Sequence, residues 1–451
     1  MSCAFETYFE SLRGKKIAVF GLGVSNRPLV RLLLEFGCNC IGCDRTDREK
    51  LDEEVLELER MGCKLSVGET YLENLEADLV FRTPGMHPGN PAFEALRAKG
   101  AEVTSEMEVF FEVCPCTILA ITGSDGKTTT TTLVSEMLKA AGHKVWVGGN
   151  IGTPLLPRVR EMKETDYCVV ELSSFQLMDM KRSPHVAVVT NLAPNHLDVH
   201  KDMEEYVEAK KNIFKFQKEE DILIINADNE ITAPFVGSGI TKAFSYQCKD
   251  AMVKLEGDMI TRNGTPVLDK KDILLPGEHN VENYMAAIAA VEGMVEDDVI
   301  RQVAKTFGGV EHRIELVRIK DGVRYYNDSI ASSPSRTMAG LKSFPEKVIL
   351  IAGGYDKHIP YDVLGPEICA HVKKMFLCGA TGPQIRAAVE ACAGEKPEMV
   401  DCGKFENAVK AAAAAAESGD VVLMSPASAS FDEFKNFMVR GNFFKKLIME
   451  L

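Results

Sequence analysis

The amino-acid sequence predicts an α/β protein of three domains, with a mostly parallel sheet at its centre. The chain has 451 residues, which is more than one ordinary core holds, since domains average about 100–200 residues. Short apolar, β-rich runs alternate with helical patterns, as in parallel sheets covered on both faces. Two of these runs end in glycine turns that lead into helices. We expect the domains at residues 1–104, 105–309 and 310–451.

The first domain opens with Lys16-Ile-Ala-Val-Phe-Gly-Leu-Gly-Val-Ser25, a strand that ends in a glycine turn. An apolar helix over residues 29–36 and a strand over residues 40–44 follow, which predicts a Rossmann-like unit. Asn26 stands where a dinucleotide-binding turn has its third glycine. The turn is therefore weak evidence for an NAD-dependent oxidoreductase, which stays an alternative. The strand and turn Phe81-Arg-Thr-Pro-Gly85 are expected to close the same pocket.

The central domain carries the most informative stretch of the chain. A strand over 118–122 breaks into Gly123-Ser-Asp-Gly-Lys-Thr128, and a helix over 128–141 follows. In this context backbone N–H groups point at phosphate oxygens, Lys127 adds a positive charge, and the Thr128 hydroxyl reaches Mg²⁺. The loop is shorter than the common phosphate loop, because Ile121 stands in the strand where that loop has its first glycine.

The other elements of the central and last domains follow from apolar runs and turn residues. Further central strands are expected at 166–171, 186–190 and 221–225, then short strands over 253–275 with a hairpin at Asn263-Gly264, and a helix over 280–295. The last domain should be Rossmann-like, with strands at 324–327, 347–352, 373–378 and 420–424 and a helix over 405–417 that ends before Gly419.

Composition restricts the class of protein. No run approaches the roughly 18 apolar residues of a membrane helix, and the N-terminus lacks a basic region that leads into an apolar segment. Thirteen cysteines, an odd number in core-like segments, predict free thiols in a reducing compartment, so we expect a cytoplasmic protein. A net charge of −14 argues against nucleic acid as a partner. Cys38, Cys40 and Cys43 alternate along a predicted strand with no second Cys/His pair, which disfavours zinc.

Three titratable residues of the central domain are candidates for chemistry. Glu171 ends an apolar strand, where ligands of open α/β sheets bind, and it can hold Mg²⁺ with Thr128; capping the turn at Ser173-Ser174 is the alternative. His196-x-Asp198-x-His200 lacks a third ligand with zinc geometry. Lys210, on a predicted helix, is on composition alone a solvated lysine.

The order of motifs along nearly the whole chain resembles that of the Mur ligases of peptidoglycan synthesis. The motifs are the short phosphate loop, Val147-Gly-Gly-Asn-Ile-Gly152, Glu171-Leu-Ser-Ser-Phe-Gln-Leu177, His196-Leu-Asp-Val-His200, Ala209-Lys210, His279-Asn280, His312-Arg313 and Asn327-Asp328-Ser329. The stretch from Ser425 to Gly441 is most similar to the branch that adds D-glutamate to UDP-N-acetylmuramoyl-L-alanine.

The resemblance implies an ATP-dependent amide-bond-forming ligase that works through an acyl phosphate, with ATP, two Mg²⁺ ions and a lysine carbamate derived from CO₂. It implies that Lys127, Glu171, His196, Lys210, Arg313 and Asn150 are catalytic. The implied metal ligands are Thr128, Glu171, His196 and carbamylated Lys210, although adjacent Lys211 stays open. The implied partners are UDP-N-acetylmuramoyl-L-alanine and D-glutamate, with no nucleic acid or membrane, and we expect a monomer.

The resemblance also implies where each substrate binds. ATP is expected at Gly123, Ser124, Asp125, Gly126, Lys127, Thr128, Thr129, Asn280, Asn283, Arg313 and Asp328. The UDP substrate is expected at Val24, Ser25, Asp44, Arg45, Thr83, Pro84, Asn150 and Ser173, and D-glutamate at Ser332, Lys357, Ser430 and Phe437. The sequence departs from the family at Asn195, where many relatives have an acid, and at Ile330, where many have lysine.

Three alternatives remain at this point. The nearest is another ligase of the same fold, which adds a different amino acid to the muramoyl peptide or adds glutamate to folate. The second is the NAD-dependent oxidoreductase, which the missing third glycine opposes. The third is a non-catalytic nucleotide-binding module, which the set of candidate metal and acceptor residues opposes.

Overall fold

The computed structural model describes residues 4–194 and 199–451. The α/β fold class is confirmed: the described residues form a five-stranded, a nine-stranded and a six-stranded sheet. Contacts divide the chain into two compact units. The first runs up to Lys270 and includes Val281–Val303, and the second consists of Lys271–Asn280 and Ala304–Leu451. The three-domain boundaries stay a prediction.

The first sheet is entirely parallel and has the order β3-β2-β1-β4-β5. Its strands are β1 (Lys16–Phe20), β2 (Asn39–Asp44), β3 (Lys64–Val67), β4 (Leu79–Arg82) and β5 (Glu102–Ser105). Its helices are α1 (Ala4–Ser11), α2 (Asn26–Glu35), α3 (Glu53–Arg60), α4 (Pro91–Ala98) and α5 (Glu106–Val113). This is the predicted Rossmann-like arrangement.

Asn26 explains how the imperfect glycine turn is closed. Its buried side-chain amide donates to the carbonyls of Phe20 and Gly21, at 3.0 and 2.9 Å, and α2 begins at this residue. The expected start at residue 29 was therefore late. The Asn26 side chain thus gives hydrogen-bond donors to two carbonyls at the start of the turn.

The second sheet contains the phosphate loop and has the order β14-β13-β12-β11-β10-β9-β6-β8-β7. Its strands are β6 (Thr117–Thr122), β7 (Val145–Gly149), β8 (Tyr167–Glu171), β9 (Val186–Val189), β10 (Ile222–Asn226), β11 (Ile240–Ser245), β12 (Val253–Glu256), β13 (Met259–Arg262) and β14 (Thr265–Asp269). Only the β12-β13-β14 pairings are antiparallel. The β13–β14 hairpin turns at Asn263 and Gly264, both with positive φ, as predicted.

The helices of this part of the chain are α6 (Lys127–Ala140), α7 (Ser174–Leu177), α8 (Met203–Lys215), α9 (Glu278–Ala290) and α10 (Asp297–Thr306). Short 3-10 turns lie at Arg48–Lys50, Leu156–Glu161 and Lys270–Asp272. The helix expected to reach residue 295 ends earlier, because Gly293 follows with a φ of 75°. Apolar residues of the first two sheets share one buried cluster, while Ala18, Phe20, Cys43 and Val80 of the first sheet pack with Phe93 of α4 in a second one.

The third sheet has the order β15-β16-β20-β17-β18-β19, and only β15 is antiparallel to its neighbour. Its strands are β15 (Glu315–Lys320), β16 (Val323–Asn327), β17 (Val348–Gly353), β18 (Val372–Cys378), β19 (Glu398–Gly403) and β20 (Val421–Met424). Its helices are α11 (Pro334–Leu341), α12 (Leu364–His371), α13 (Gly382–Glu390), α14 (Phe405–Ala414) and α15 (Phe437–Glu450).

Helix α14 is shorter than the alanine run predicts. It ends at Ala414, and the Ala416 N–H bonds to the carbonyl of Ala413 in a tighter turn. Gly419, with a φ of 98°, then donates to the Gly322 carbonyl and leads the chain into β20. Among the described residues, no helix is long and apolar enough to span a bilayer.

Candidate functional site

The loop between β6 and α6 turns at two glycines that have positive φ, Gly123 and Gly126. A Cβ atom on Gly123 would collide with the Thr190 hydroxyl, and one on Gly126 would collide with the side-chain oxygen of Asn283. Both positions therefore require glycine. Asn283, expected at adenine, lies beside the loop and accepts from the Thr130 hydroxyl at 3.3 Å.

The segment after β9 fixes the shape of this loop. The Ser124 and Asp125 N–H groups donate to the backbone carbonyl and the side-chain oxygen of Asn191, at 2.8 and 2.9 Å. The Thr190 hydroxyl donates to the Asp125 carbonyl at 2.6 Å, and Ser124 Oγ lies 2.9 Å from the Tyr206 hydroxyl. Sequence reasoning missed Thr190, Asn191 and Tyr206. Thr190 and Asn191 follow a strand adjacent to β6, which is a signal that could have found them.

Helix α6 begins at Lys127, so the predicted loop residues meet a helix N-terminus. The first N–H groups of a helix have no partner within the helix, and its dipole favours an anion there. Lys127 Nζ lies over the loop, where it donates to the carbonyls of Gly123 and Ser124 at 3.0 and 2.8 Å. Thr128 and Thr129 are half-buried in the first turn of the helix. The arrangement is suited to holding an anion such as a phosphate group.

Glu171 lies at the carboxyl end of β8 and is almost fully buried. Its Oε1 atom accepts from Asn150 Nδ2 at 2.8 Å, and Oε2 is buried with no hydrogen-bond partner among the described residues. The cap of α7 is formed instead by Ser173 and Gln176, which bond reciprocally. The alternative that Glu171 caps this turn is therefore wrong.

The unpartnered oxygen of Glu171 tests whether this site fits a cation. A buried carboxylate oxygen without a partner is costly, because it has lost water and gained nothing. Hard divalent cations such as Mg²⁺ prefer carboxylate and hydroxyl oxygen ligands. Glu171 and the Thr128 hydroxyl supply that donor chemistry, so the residues present fit the ion.

Lys210 is buried on α8, whereas Lys211 is half-buried. Lys210 Nζ donates to the Thr122 hydroxyl at 3.0 Å and lies 5.0 Å from the centre of the Tyr206 ring. Burial lowers its pKa well below the usual value, the Lys127 charge lowers it further, and Glu171 opposes the shift. Lys211 instead pairs with Glu208 at 2.6 Å. Burial therefore favours the neutral form of the Lys210 amine.

His196 lies outside the described residues, as do Asn195 and Asp198. The second metal site that was expected at His196 therefore stays a prediction. His200, the last residue of that motif, is buried: its Nε2 atom lies 2.9 Å from Ser174 Oγ, and its ring stacks on Phe175.

A cleft between the first two sheets brings part of the expected UDP-substrate set together. The predicted residues Ser25 and Pro84 line this cleft. Gly149 and Gln176 line it too, and they are neighbours of the predicted residues Asn150 and Ser173. Arg82 and Glu106 are buried in the same lining. Sequence reasoning gave these two residues no role.

Arg82 and Glu106 are held by specific contacts. The Arg82 guanidinium pairs with Asp179 and donates to the Phe175 carbonyl at 3.1 Å. Glu106 accepts from the Leu156 N–H at 3.1 Å, and burial raises its pKa to about 7. The five N–H groups of Arg82 are all used by Asp179 and by the carbonyls of Thr83, Met86 and Phe175, so this residue holds the loop after β4 in place.

The rest of the UDP set lies on the loops of the first sheet. Asp44 accepts from the Leu22 and Thr46 N–H groups at 2.8 and 2.9 Å. Burial opposes ionisation of Asp44, but these backbone bonds outweigh it and lower its pKa. Thr83 packs against Gly21, and Arg45 and Val24 are exposed.

In the second compact unit, Arg440 of α15 organises the loops that carry the expected D-glutamate residues. The buried guanidinium donates to the carbonyls of Ser329, Ser428 and Ala429 at 2.9–3.1 Å, and to Ser329 Oγ at 3.1 Å. Burial lowers its pKa to about 10. Sequence reasoning included Arg440 in a motif but gave it no role.

The residues expected at D-glutamate lie around this guanidinium. Tyr355 and Ala429 form a backbone bridge, which holds the loop of exposed Lys357 beside that of buried Ser430. The Phe437 carbonyl accepts from Ser329 Oγ at 2.8 Å. Ser332 is half-buried, with its N–H bonded to the Ile330 carbonyl.

The remaining ATP candidates of this unit differ in environment. Arg313 is exposed between His312 and Ile314, which both have positive φ. Asp328 is buried and accepts from the Ser425 hydroxyl at 2.7 Å, and burial raises its pKa to about 7. Asn280, on α9, donates to the Pro276 carbonyl at 2.7 Å.

A parallel sheet with a glycine loop at a helix N-terminus, a buried carboxylate and a buried lysine is typical of a nucleotide-dependent enzyme of phosphoryl transfer. Comparison with known families makes this class specific. Residues 121–291 match the Mur ligase middle domain, and residues 312–428 match the Mur ligase, glutamate ligase domain. The chain belongs to the Mur ligase family.

Relatives match along the whole length. The UDP-N-acetylmuramoylalanine–D-glutamate ligase of Acetivibrio thermocellus is 52% identical, with 99% of each chain covered. A ligase of the same description from Clostridium botulinum, strain Langeland, is 47% identical, with 100% of each covered.

Solved structures share the fold at low identity. UDP-N-acetylmuramate-alanine ligase from Thermotoga maritima gives a TM-score of 0.57 at 19% identity, with 97% of this chain and 99% of that one covered. A UDP-N-acetylmuramoyl-L-alanyl-D-glutamate–2,6-diaminopimelate ligase gives 0.58 at 18% identity, with 84% and 94% covered. The likeness supports the fold.

Proposed function

We propose that this protein is an ATP-dependent ligase that joins D-glutamate to UDP-N-acetylmuramoyl-L-alanine in peptidoglycan synthesis. One observation carries the chemistry of this proposal. The glycine loop and the buried side chains of Glu171 and Lys210 lie together at the edge of the second sheet where its parallel strands have their carboxyl ends. The relatives that match over the full length carry the choice of substrates.

The reaction follows from two bond exchanges. A terminal carboxylate oxygen of the muramoyl substrate attacks the γ-phosphorus of ATP, and ADP leaves with the electrons of the broken P–O bond. The amine of D-glutamate then attacks the carbonyl carbon of the acyl phosphate, loses a proton, and expels phosphate. An amide, ADP and phosphate are the products.

Residues of the chain position the phosphates and offset their charge. Backbone N–H groups at the start of α6 hold phosphate oxygens, while those of Ser124 and Asp125 fix the loop on Asn191. Lys127 exchanges its loop carbonyls for the β- and γ-phosphates. Asn150, bonded to Glu171, orients the substrate carboxylate. Arg313 supplies positive charge at the transferring group.

Thr128 and Glu171 would hold Mg²⁺, with His196 and modified Lys210 at a second ion. When bound, these ions neutralise charge on the phosphates. The fit rests on the unpartnered buried oxygen of Glu171.

We also propose that Lys210 carries a carbamate. A neutral amine attacks CO₂, forms a C–N bond and loses one proton, so the modified side chain has a negative charge. The buried position beside Lys127 favours the neutral amine that this step needs. The new anion would relieve the repulsion between the two lysines.

Lys210→Ala, with Lys211→Ala as the matched control, tests this modification. We expect Lys210→Ala to lose activity and acetate to restore part of it, while Lys211→Ala keeps wild-type activity. Absence of rescue by any small carboxylic acid, together with an unmodified amine in wild-type protein, would contradict the carbamate.

The first domain, residues 1–104, would bind the UDP group, with Asp44 and Arg45 at its polar edges and Ser25 and Pro84 in the cleft. Residues 105–309 would bind ATP, with Asn280 and Asn283 toward adenine and Asp328 toward ribose or phosphate. Residues 310–451 would bind D-glutamate through Lys357, Ser332, Ser430 and Phe437. Both substrates and the free thiols of the described chain suit a reducing cytoplasm.

Phosphate release from ATP, measured with UDP-N-acetylmuramoyl-L-alanine and a panel of D- and L-amino acids, tests the function. We expect release that depends on both substrates, with D-glutamate preferred over every other amino acid. A preference for L-lysine or diaminopimelate would instead make the chain a sibling ligase.

A further inference from the structure

Three cysteine side chains meet at the edge of the second sheet where β6 and β8 begin. Cys114 follows α5, Cys116 directly precedes β6, and Cys168 is the second residue of β8. Their Sγ atoms all lie within 4.8 Å of one another, and those of Cys114 and Cys168 are 3.6 Å apart. Among residues 4–194 and 199–451, no other three His, Cys, Asp or Glu side chains converge in this way.

The separation of the sulfur atoms fits one metal ion. A Zn–S bond is about 2.3 Å long, so sulfurs around one ion lie roughly 3.8 Å apart in a tetrahedral site and roughly 4.0 Å apart in a trigonal one. The observed separations reach this geometry with side-chain shifts of about 1 Å or less. A disulfide would need the closest pair to approach to about 2.05 Å.

The surroundings of the three thiols have the chemistry of a soft-metal site. Met162 Sδ lies 3.9 Å from Cys168 Sγ, and the Lys163 carbonyl lies 3.3 Å from Cys116 Sγ. Thiolate and thioether ligands select Zn²⁺ and Cu⁺ over Mg²⁺.

An ion could reach the cluster from solvent. Cys168 and Cys116 are buried, but Cys114 is half-buried and opens on the segment that joins α5 to β6. Ordinary buried cysteines behave as small apolar residues, as the pair formed by Cys40 of β2 and Cys63, which directly precedes β3, would. The cluster differs from such a pair, because three sulfur atoms converge and one of the three residues, Cys114, is only half-buried.

We propose that Cys114, Cys116 and Cys168 bind a single thiophilic cation, such as Zn²⁺ or Cu⁺. The ion forms bonds to the three sulfurs, and the protons of the remaining thiols pass to solvent. Cys168 is three residues from Glu171 along β8, or about 10 Å. The site is therefore separate from the oxygen-lined Mg²⁺ site, and it would fasten the segment between the first two sheets.

Titration of the reduced, chelator-treated full-length chain with Cd²⁺ tests the proposal. The thiolate-to-metal charge-transfer band should rise to one ion per chain, and native mass spectra should show one Cd²⁺ with loss of thiol protons. Zn²⁺ should compete for the same site. Cys114→Ala and Cys116→Ser should each weaken binding by at least about 10–100-fold, the loss typical of residues that merely support a metal ligand.

Cys40→Ser, in the other buried thiol pair, is the matched control and should bind Cd²⁺ like the wild type. Circular dichroism and melting curves without metal check that each variant folds. If a variant at a buried cysteine unfolds, Cys114→Ala still tests the proposal, because Cys114 is half-buried. Equal affinity of the wild type and Cys114→Ala, or loss of binding in Cys40→Ser alone, would overturn the proposal.

Discussion

Replacing Lys210 with methionine should abolish ligation and yet stabilise the fold near neutral pH. Methionine is unbranched and apolar, so it fills the same space without burying an amine. The hydrogen bond lost is the one to Thr122, and its hydroxyl still donates to the Leu172 carbonyl at 2.7 Å. The cost of that loss is about 0.5–1.5 kcal/mol.

The gain from removing the amine depends on pH. Because burial and then Lys127 lower the pKa of Lys210 well below its usual 10.5, the unfolded chain binds a proton that the native chain does not. Between the lowered pKa and 10.5, the wild-type free energy of unfolding therefore rises with pH by up to about 1.4 kcal/mol per unit. Relative to Lys210→Met, the wild type should therefore lose stability as the pH falls from 10.5 toward the lowered pKa.

Urea unfolding in buffer free of CO₂ and metal measures this difference. Trp146, the only tryptophan of the chain, lies in β7 and reports the second sheet by fluorescence. Lys211→Met is the control: it removes a surface pair with Glu208 that is worth at most about 1 kcal/mol, and its curve should run parallel to that of the wild type. A wild type and a Lys210→Met variant with the same pH dependence would refute the reasoning.

Three further predictions address the other parts of the site. Lys127→Ala should lower kcat by at least about 100-fold, because the charge over the phosphate loop is lost, and an altered melting transition would instead indicate a structural role. Lys357→Ala should raise the KM for D-glutamate roughly 10- to 150-fold, which is equivalent to the ~1.5–3 kcal/mol of a charge-assisted contact. The KM for ATP should stay unchanged, and a reduced ATP affinity would refute this prediction. Arg440→Ala should destabilise the second unit by about 3 kcal/mol or more, because it leaves buried carbonyls without a donor; unchanged hydrogen exchange around Ser428 would speak against it.

The fold class was predictable because its signals are local. Apolar runs and glycine turns lie within a few residues of one another, so β6, β8, β9 and β10 of the second sheet and the hairpin at Asn263 came out close to their observed bounds. Strands β7 and β11 of the same sheet were missed. Helix ends were less predictable, since the alanine run over 405–417 contains no signal for the tight turn that ends α14 at Ala414.

The candidate site was predictable where one short segment of sequence supplies both the backbone turn and the groups that would contact the ligand. The phosphate loop is such a segment, and the glycines at 123 and 126 are required by neighbours that the sequence does not reveal. Lys210 was identified by resemblance alone, because its burial depends on the packing of α8. Arg440 was missed for the same reason: its partners lie more than ten residues away, in loops after β16 and β20.

Heavy-oxygen labelling of the muramoyl carboxylate tests the central claim most directly. If the carboxylate attacks ATP and phosphate later leaves from an acyl phosphate, one labelled oxygen must pass from the substrate to the phosphate released. We predict one label per phosphate in the presence of D-glutamate, measured by mass spectrometry. Unlabelled phosphate, with amide formed at the normal rate, would contradict the mechanism assigned to this site.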